Sequence, residues 1–466
     1  VDPAASSGRQ AQIDLRCAAA YSGIETQIRK ARVGAARRPG DKTRREDCSM
    51  ADKDMTRRGF LKTASVGTVA MSMSAASYAR VKGANDRISI GIIGCGSRGL
   101  DAHMAGIYPF AKDQNIEVTA VCDPWRIRRE MAAAKAKEQY GREARPFVSY
   151  RDVLALDDID AVMIASPDHV HTLHLEAAAK AKKDVYCEKP ISMDLESLKK
   201  AADAVKANNV VCQIGTQLRS LPSFTGCREL YKTGILGKVG RIEQCRNGEQ
   251  PYWYHYLKEA KEEDVDWKEF LHDRPMRPFS SVQFTGWYGF LDFSGGPVPG
   301  FASHYIDLVH YITGAQFPSS AVCLGGVYTW KDEYGFTCPD HVQALWTYPE
   351  GFMVSYSTNF GNGGSNTFRI LGDQGTLDMV NWTSPVLTAE GGSKNKGAIR
   401  GKKPIEDVPT DDHFLNWLKC LRSRETPNAS IDAGYQHGVA ILMATRAFET
   451  GERQVYDREK RKIHKG

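Results

Sequence analysis

From Arg87 onward, short apolar runs and longer amphipathic runs take turns along the chain. Arg87–Ile93 is apolar and rich in β-branched residues, and Ser97–Ile107 carries a helical period. The same alternation predicts strands at Ile116–Cys122, Ala161–Ala165, Asp184–Cys187 and Val210–Ile214. It predicts helices at Trp125–Tyr140 (closed by Gly141), His171–Lys182 and Leu195–Asn208. Strands and helices alternating at this spacing make a parallel sheet with helices on both faces. Past residue 215 the texture changes. Short β-like runs separated by Gly, Pro and Asn follow at Gly240–Cys245, Ala321–Trp330, His341–Tyr348, Phe352–Phe360, Thr367–Leu371 and Gly375–Val380. They predict a large, open, mostly antiparallel sheet, which leaves one face for partners. Helices return at His413–Arg422 and Ala433–Thr450, the latter ended by Gly451. The expected fold is an α/β Rossmann domain with a doubly wound parallel sheet over residues 84–214, followed by an α+β domain over 215–460. No internal repeat is visible.

The amino-terminal stretch reads differently. Thr56-Arg57-Arg58-Gly59-Phe60-Leu61-Lys62 precedes an apolar run, Thr63–Ala76, and a small-residue site ending Ser77-Tyr78-Ala79. A twin arginine, a short apolar stretch and an A-x-A-like site form an export signal for the twin-arginine (Tat) route, here over residues 50–79. That route carries proteins already folded. We therefore expect the Tat export machinery as a partner and a periplasmic or other extracytoplasmic location. Such signals stand at the start of a protein, so translation is expected to begin at Met50 or Met55. Residues 1–49 are then a mis-called upstream segment, or a disordered arm.

Charge sharpens this division. Residues 1–79 hold 14 Lys and Arg against 8 Asp and Glu, so the net +6 of the chain resides there, and 48 of each sign remain beyond it. A neutral remainder argues against a general nucleic-acid surface. The apolar run at 63–76 is too short to span a bilayer, and nothing later approaches about 20 apolar residues, so no integral membrane span is expected. None of the eleven cysteines shows C-x-x-C spacing, and no metal site is expected.

The chemistry begins at Gly94-Cys95-Gly96-Ser97-Arg98-Gly99, a GxGxxG between a predicted strand and a predicted helix. Gly94 permits a tight turn, Gly96 lets the backbone approach a pyrophosphate at the helix N-terminus, and Gly99 allows close helix–strand packing. Asp123 ends the second strand, where an acid takes the ribose hydroxyls. It favours NAD, while nearby Arg126 and Arg128 leave NADP open. Outside the cytoplasm no nicotinamide pool exists, so the nucleotide is expected to be tightly bound and regenerated in place. Ser166-Pro167-Asp168-His169-Val170-His171 follows a strand at the carboxyl edge of the sheet, where ligands bind, although a turn with a helix cap reads the same residues equally well. Cys187-Glu188-Lys189-Pro190 ends the next strand. A lysine there, beside a nicotinamide site and partly desolvated, suits proton transfer, and Lys189-Pro190 suits a cis bond.

The order GxGxxG, Asp, S/T-P-x-x-x-H, Glu-Lys-Pro, Gln217-Leu218-Arg219 and then Gly-Gly…His304-Tyr305-Ile306-Asp307 resembles the glucose–fructose oxidoreductase / inositol dehydrogenase (Gfo/Idh/MocA) family from residue 86 to about 460. The resemblance implies hydride transfer between NAD(P) and a hydroxyl carbon of a sugar, polyol or derivative, in a homo-oligomer (dimer or tetramer) built through the open sheet. It implies Lys189 and His304 as the acid/base pair. It implies a cofactor site of Gly94, Gly96, Ser97, Arg98, Gly99, Asp123, Ser166, Pro167, His171, Glu188, Lys189 and Gln217. The chain departs from the family at Gly300, where many members carry the Asp of an Asp-x-x-x-His pair. The nearest carboxylates to replace it are Asp292 and Asp307. For a carbohydrate or polyol substrate, Arg219, Trp287, Tyr305 and Asp307 are the candidate contacts. The aromatic runs Tyr252-Trp253-Tyr254-His255-Tyr256 and Trp287-Tyr288-Gly289-Phe290 offer flat faces to sugar rings. Two other readings stay open: redox-assisted cleavage of a glycoside, and a non-catalytic carbohydrate-binding protein on a dehydrogenase fold.

Overall fold

The computed structural model describes residues 86–392 and 399–466. The twin-arginine segment and the stretch before it lie outside the described residues. Residues 87–466 form one compact unit.

The first sheet has six parallel strands: β1 (Ile88–Ile93), β2 (Ile116–Cys122), β3 (Arg145–Phe147), β4 (Ala161–Ile164), β5 (Asp184–Cys187) and β6 (Cys212–Ile214). Their order is β3-β2-β1-β4-β5-β6. The order reverses between β1 and β4, and ligands of such sheets bind beyond the carboxyl ends of the strands at that switch point. The near-continuous apolar runs of β1 and β2 follow from burial on both faces. Helix Arg126–Tyr140 ends at Gly141, whose φ of +74° gives the left-handed cap that the sequence predicts. β3 and helix Tyr150–Leu154 were not anticipated, being too short to show a period.

The second sheet has ten strands: β7 (Val239–Cys245), β8 (Ser320–Gly326), β9 (His341–Thr347), β10 (Met353–Asn359), β11 (Thr367–Gly372), β12 (Thr376–Asp378), β13 (Val386–Thr388), β14 (Lys402–Pro404), β15 (Gln454–Asp457) and β16 (Lys462–Lys465). The order is β14-β13-β12-β11-β7-β10-β9-β8-β15-β16. Among the described residues of this sheet only β7 and β10 pair in parallel. One face alternates into a core with helices Ser303–Thr313 and Ile431–Thr450, and the fully buried Trp346 donates its indole N–H to Ala440 O at 2.8 Å. The other face leaves Val322, Leu324, Leu345 and Met353 exposed, with Val322 directly opposite Leu345. No described helix is long and apolar enough to cross a membrane.

Helix His413–Ser423 returns to the first sheet. Asp412 caps it by accepting from Phe414 N at 3.0 Å. Its Phe414, Trp417, Leu418 and Leu421 join Ile90, Ile92, Val118 and Met163 in one core cluster. Residues 200 positions apart are tied directly, since the Gln213 amide donates to His413 O at 2.6 Å. Replacing the fully buried Trp417 by Ala is expected to cost about 3–5 kcal/mol by cavity formation, measured by denaturant unfolding.

Candidate active site

The carboxyl ends of β1, β4 and β5 bring three loops side by side. After β1, Gly94 has φ +91°, and a Cβ on it would lie 2.5 Å from the backbone of Ala165 and Ser166. A Cβ on Gly99 would lie 2.1 Å from Gly94 O. A Cβ on Gly96 would meet nothing within 4 Å. The first and third glycines therefore close the turn, and the middle one faces the space a pyrophosphate needs, with exposed Ser97 and the start of helical turn Arg98–Met104 behind it.

Asp123 is buried and binds the loop itself. Its Oδ2 accepts from Cys95 N at 2.7 Å and its Oδ1 from Trp125 N at 2.8 Å. Each oxygen keeps a second lone pair for a ribose hydroxyl. Burial raises its pKa against the pull of those two amides. The arginines that left NADP open are placed elsewhere. Arg126 gives Nε and Nη2 to Asp264 Oδ1 at 3.1 and 2.6 Å and Nη1 to Glu130 at 2.9 Å, and Arg128 lies over the Trp125 ring.

Glu188 is the hub of the site. Its Oε1 accepts from Arg98 Nε at 2.8 Å, from Gln217 Nε2 at 3.0 Å and from His103 Nε2 at 3.0 Å. Burial alone pushes its pKa up, but the Arg98 guanidinium, His103 and the Lys189 charge outweigh it and hold the carboxyl well below the usual range. Packing also fixes it, because a Cβ on Gly215 would lie 2.7 Å from Oε2. Sequence reasoning missed His103, a buried histidine with no motif around it.

The Ser166 loop is fastened to the next turn by His171. The Pro190 carbonyl lies 2.7 Å from Nδ1 and the Ser166 carbonyl 2.7 Å from Nε2. A backbone carbonyl thus faces each ring nitrogen and takes up the ring's N–H at one of them, so His171 positions loops instead of offering a free donor to a cofactor. Ser166 Oγ pairs with His174 Nδ1 at 3.0 Å, and Pro167 precedes the short turn Asp168–Val170. The Lys189–Pro190 bond is cis.

Lys189 reaches into the second domain and donates to Gly300 O at 2.8 Å. One turn on stands His304, whose Nδ1 is buried without a hydrogen-bond partner in the protein. Burial first, and the Lys189 charge second, hold His304 well below its ordinary pKa and keep it neutral. Neither carboxylate expected to replace an acid at 300 does so directly. Asp292 pairs with Arg277 at 2.5 Å. Asp307 is buried and receives Arg219 Nε and Nη2 at 2.8 and 3.0 Å, with His437 at 3.4 Å.

That pairing corrects two substrate assignments. Arg219 and Asp307 satisfy each other in the interior, as buried charges must. Tyr305 is corrected too. It packs between Tyr356 and Phe368 under the sheet, in the core. Trp287 is half-buried and stacks on Tyr288 with centroids 3.6 Å apart. The group that does occupy the space beside Gly300 is Tyr252, whose hydroxyl lies 2.6 Å from where a Cβ there would be.

A strap from the second domain crosses the carboxyl edge of the first sheet. Asp266 N donates to Pro124 O at 3.0 Å, and Val265 bridges Trp125. Glu269 accepts from Ser149 Oγ at 2.8 Å, and His169 Nε2 donates to Phe270 O at 3.0 Å. The strap is therefore pinned at β2, after β3 and after β4.

For Asp168 the sequence leaves a ligand-binding edge and a turn with a helix cap equally open. The structure buries it, with Ser294 Oγ donating to its Oδ2 at 3.1 Å. Burial pushes its pKa up to about 7, against Lys189 and Ser294. A carboxyl whose folded pKa is raised stabilises the fold fully below its unfolded pKa, and that contribution is lost as pH rises toward 7. Asp168→Asn is therefore expected to flatten the fall in Tm between pH 4 and pH 7 and to raise Tm at pH 8.

Comparisons with known proteins agree with this geometry. Residues 88–216 match the family model described as "Oxidoreductase family, NAD-binding Rossmann fold", and residues 268–378 match the "GFO/IDH/MocA C-terminal domain". The chain is 26% identical over 259 residues to an "uncharacterized oxidoreductase" of Streptococcus pneumoniae, covering 53% of this chain and 65% of that protein. It is 27% identical over 352 residues to the scyllo-inositol 2-dehydrogenase (NAD(+)) of Bacillus subtilis, covering 72% and 87%. In fold it is similar to the WlbA dehydrogenase of Bordetella pertussis, solved with NADH and UDP-GlcNAcA, with a TM-score of 0.59 and 22% identity over 79% of this chain and 98% of that one. The chain thus spans just under two thirds of the pneumococcal relative.

Proposed function

This chain belongs to the Gfo/Idh/MocA family of NAD-binding oxidoreductases, and from that membership we propose that it transfers hydride between a tightly held nicotinamide dinucleotide and a hydroxyl carbon of a sugar, polyol or sugar derivative. The observation that carries the reading is the meeting of Lys189 with Gly300 O, one turn before His304, at the carboxyl edge of the nucleotide domain.

When bound, the nicotinamide supplies the hydride acceptor at its ring C4. Gly94, Gly96 and Gly99 shape the turn that receives the pyrophosphate, and Asp123 faces the ribose. Glu188, held ionised, keeps Arg98 and Gln217 in place around the nicotinamide half. The neutral His304 accepts the proton that leaves the substrate hydroxyl as its carbon gives up hydride, and the Lys189 ammonium donates a hydrogen bond to the oxygen on which negative charge develops. A second substrate, or a later step on the same one, returns the hydride. The sugar or polyol class is supported by the inositol dehydrogenase relative.

The strap supports firm retention. It is pinned past the end of β2 through Asp264, Val265 and Asp266, and would slow the departure of a dinucleotide whose ribose was held at Asp123. The same contact supports NAD over NADP, because Asp264 and Glu130 occupy the Arg126 that a 2′-phosphate needs. Retention fits the extracytoplasmic location that the twin-arginine segment points to. The exposed apolar row Val322, Leu324, Leu345 and Met353 on the open sheet supports a homo-oligomer formed through that face.

Acid release of nucleotide from purified protein, identified by mass spectrometry, tests the reading together with a screen of cyclitols and aldoses for reduction of the bound cofactor. Near-stoichiometric NAD is expected. An empty site that nicotinamide nucleotides do not fill would sink the proposal. Lys189→Ala is expected to lower turnover by about 10²- to 10⁴-fold while nucleotide remains bound. Asp264→Ala is expected to speed nucleotide release and narrow the preference for NAD over NADP, read by exchange against labelled nucleotide.

A further inference from the structure

Residue 300 lies in a π-helical turn, Val298–Ala302, directly before helix Ser303–Thr313. Its carbonyl holds the Lys189 ammonium. It carries no side chain, yet the volume of one is filled. A Cβ built on Gly300 would lie 2.6 Å from Tyr252 Oη and 3.5 Å from Tyr252 Cζ. In an aspartate, standard bond lengths put each carboxylate oxygen about 2.4 Å from its own Cβ. The phenol oxygen therefore stands at the distance from Cβ where an acid at 300 would carry its own oxygen, and the two side chains exclude each other.

Tyr252 is held there by its surroundings. Its ring meets Trp253, Tyr288, Phe301 and Phe360 edge-on, with centroids 5.3, 5.4, 5.0 and 5.9 Å away. The hydroxyl is buried. Edge-to-face contacts on several sides leave the ring little freedom to turn. Two carboxylates send charge toward His304, Glu188 and Asp307, and each is already paired with an arginine. An acid at 300 would add a further negative charge beside Lys189. A phenol keeps an oxygen in that place, donates as well as accepts, and adds no charge.

We propose that Tyr252 is the positioning residue of this site: an oxygen brought in from the 252–256 segment has replaced the acid on the helix, and it sets the Gly300 turn that presents Lys189 and His304. The proposal rests on the hydride-transfer reading above. It also predicts which exchange is tolerated. Phenylalanine at 252 removes the atom at 2.6 Å and leaves Cζ at 3.5 Å, an ordinary contact for a Cβ at 300.

The full chain is compared with Tyr252→Phe, Gly300→Ala, Gly300→Asp and the doubles Tyr252→Phe/Gly300→Ala and Tyr252→Ala/Gly300→Asp. Gly300→Ala is expected to lower Tm by about 2–4 °C where Tyr252 is present and not where it is Phe. On a cyclitol or aldose that wild type oxidises, Tyr252→Phe is expected to lower kcat about tenfold or more with KM little changed. Gly300→Asp alone is expected to be inactive, and Tyr252→Ala/Gly300→Asp, which removes the ring as well as the hydroxyl, to recover at least about tenfold of that loss. Unchanged kcat in Tyr252→Phe, a double no more active than Gly300→Asp, or equal Tm losses in both backgrounds overturns the role of Tyr252 alone. No wild-type turnover on any cyclitol or aldose overturns the hydride-transfer reading, and the role of Tyr252 falls with it.

Discussion

A buried carboxylate without donors is untenable in a protein interior, and the site is organised around one that has them. Glu188 draws Arg98 from the helix after the glycine loop, His103 from further along that segment, and Gln217 from beyond β6. Each of those groups sits where it does because the charge at its centre must be matched. The loop that faces a pyrophosphate, the turn that carries Lys189 and the exit of the first domain are thereby one electrostatic unit. Lys189 then extends that unit into the second domain through Gly300 O, so the acid/base pair is positioned from both domains at once.

Much of this was legible in the chain. Gly94 and Gly99 stand where the sequence placed a tight turn and a close helix–strand contact, because each answers a steric demand made by nearby backbone, while open space lies beside Gly96. Strands β2 and β5 fall where the sequence pattern predicted them, to the residue, because burial on both faces selects runs in which apolar residues dominate. Glu188, Gln217 and Arg98 belong to motifs, and the structure brings them together.

Other features were not legible, for physical reasons. Arg219, Tyr305 and Asp307 have the residue types of a sugar site, yet what they do depends on which face of a helix meets which neighbour. Pairing of Arg219 with Asp307 spans 88 positions, and no local pattern encodes it. His103 and Asp168 are polar residues that burial turns into parts of the site, and burial is a property of the assembled fold. Helix Ser303–Thr313 was not among the predicted elements, because its buried residues run almost all round it and blur the amphipathic stripe.

Helix His413–Ser423 has a consequence for how the molecule comes into being. It supplies Trp417 and its neighbours to the core behind β1 and β2, although it stands near the end of the chain. A ribosome delivers the nucleotide-binding strands first, but their hydrophobic wall stays open until residue 423 has emerged. The nucleotide domain is thus not a module that a shorter fragment could carry away. Its core closes only once the His413–Ser423 helix has been made, and a nucleotide finds a finished cradle only in a chain that carries that helix.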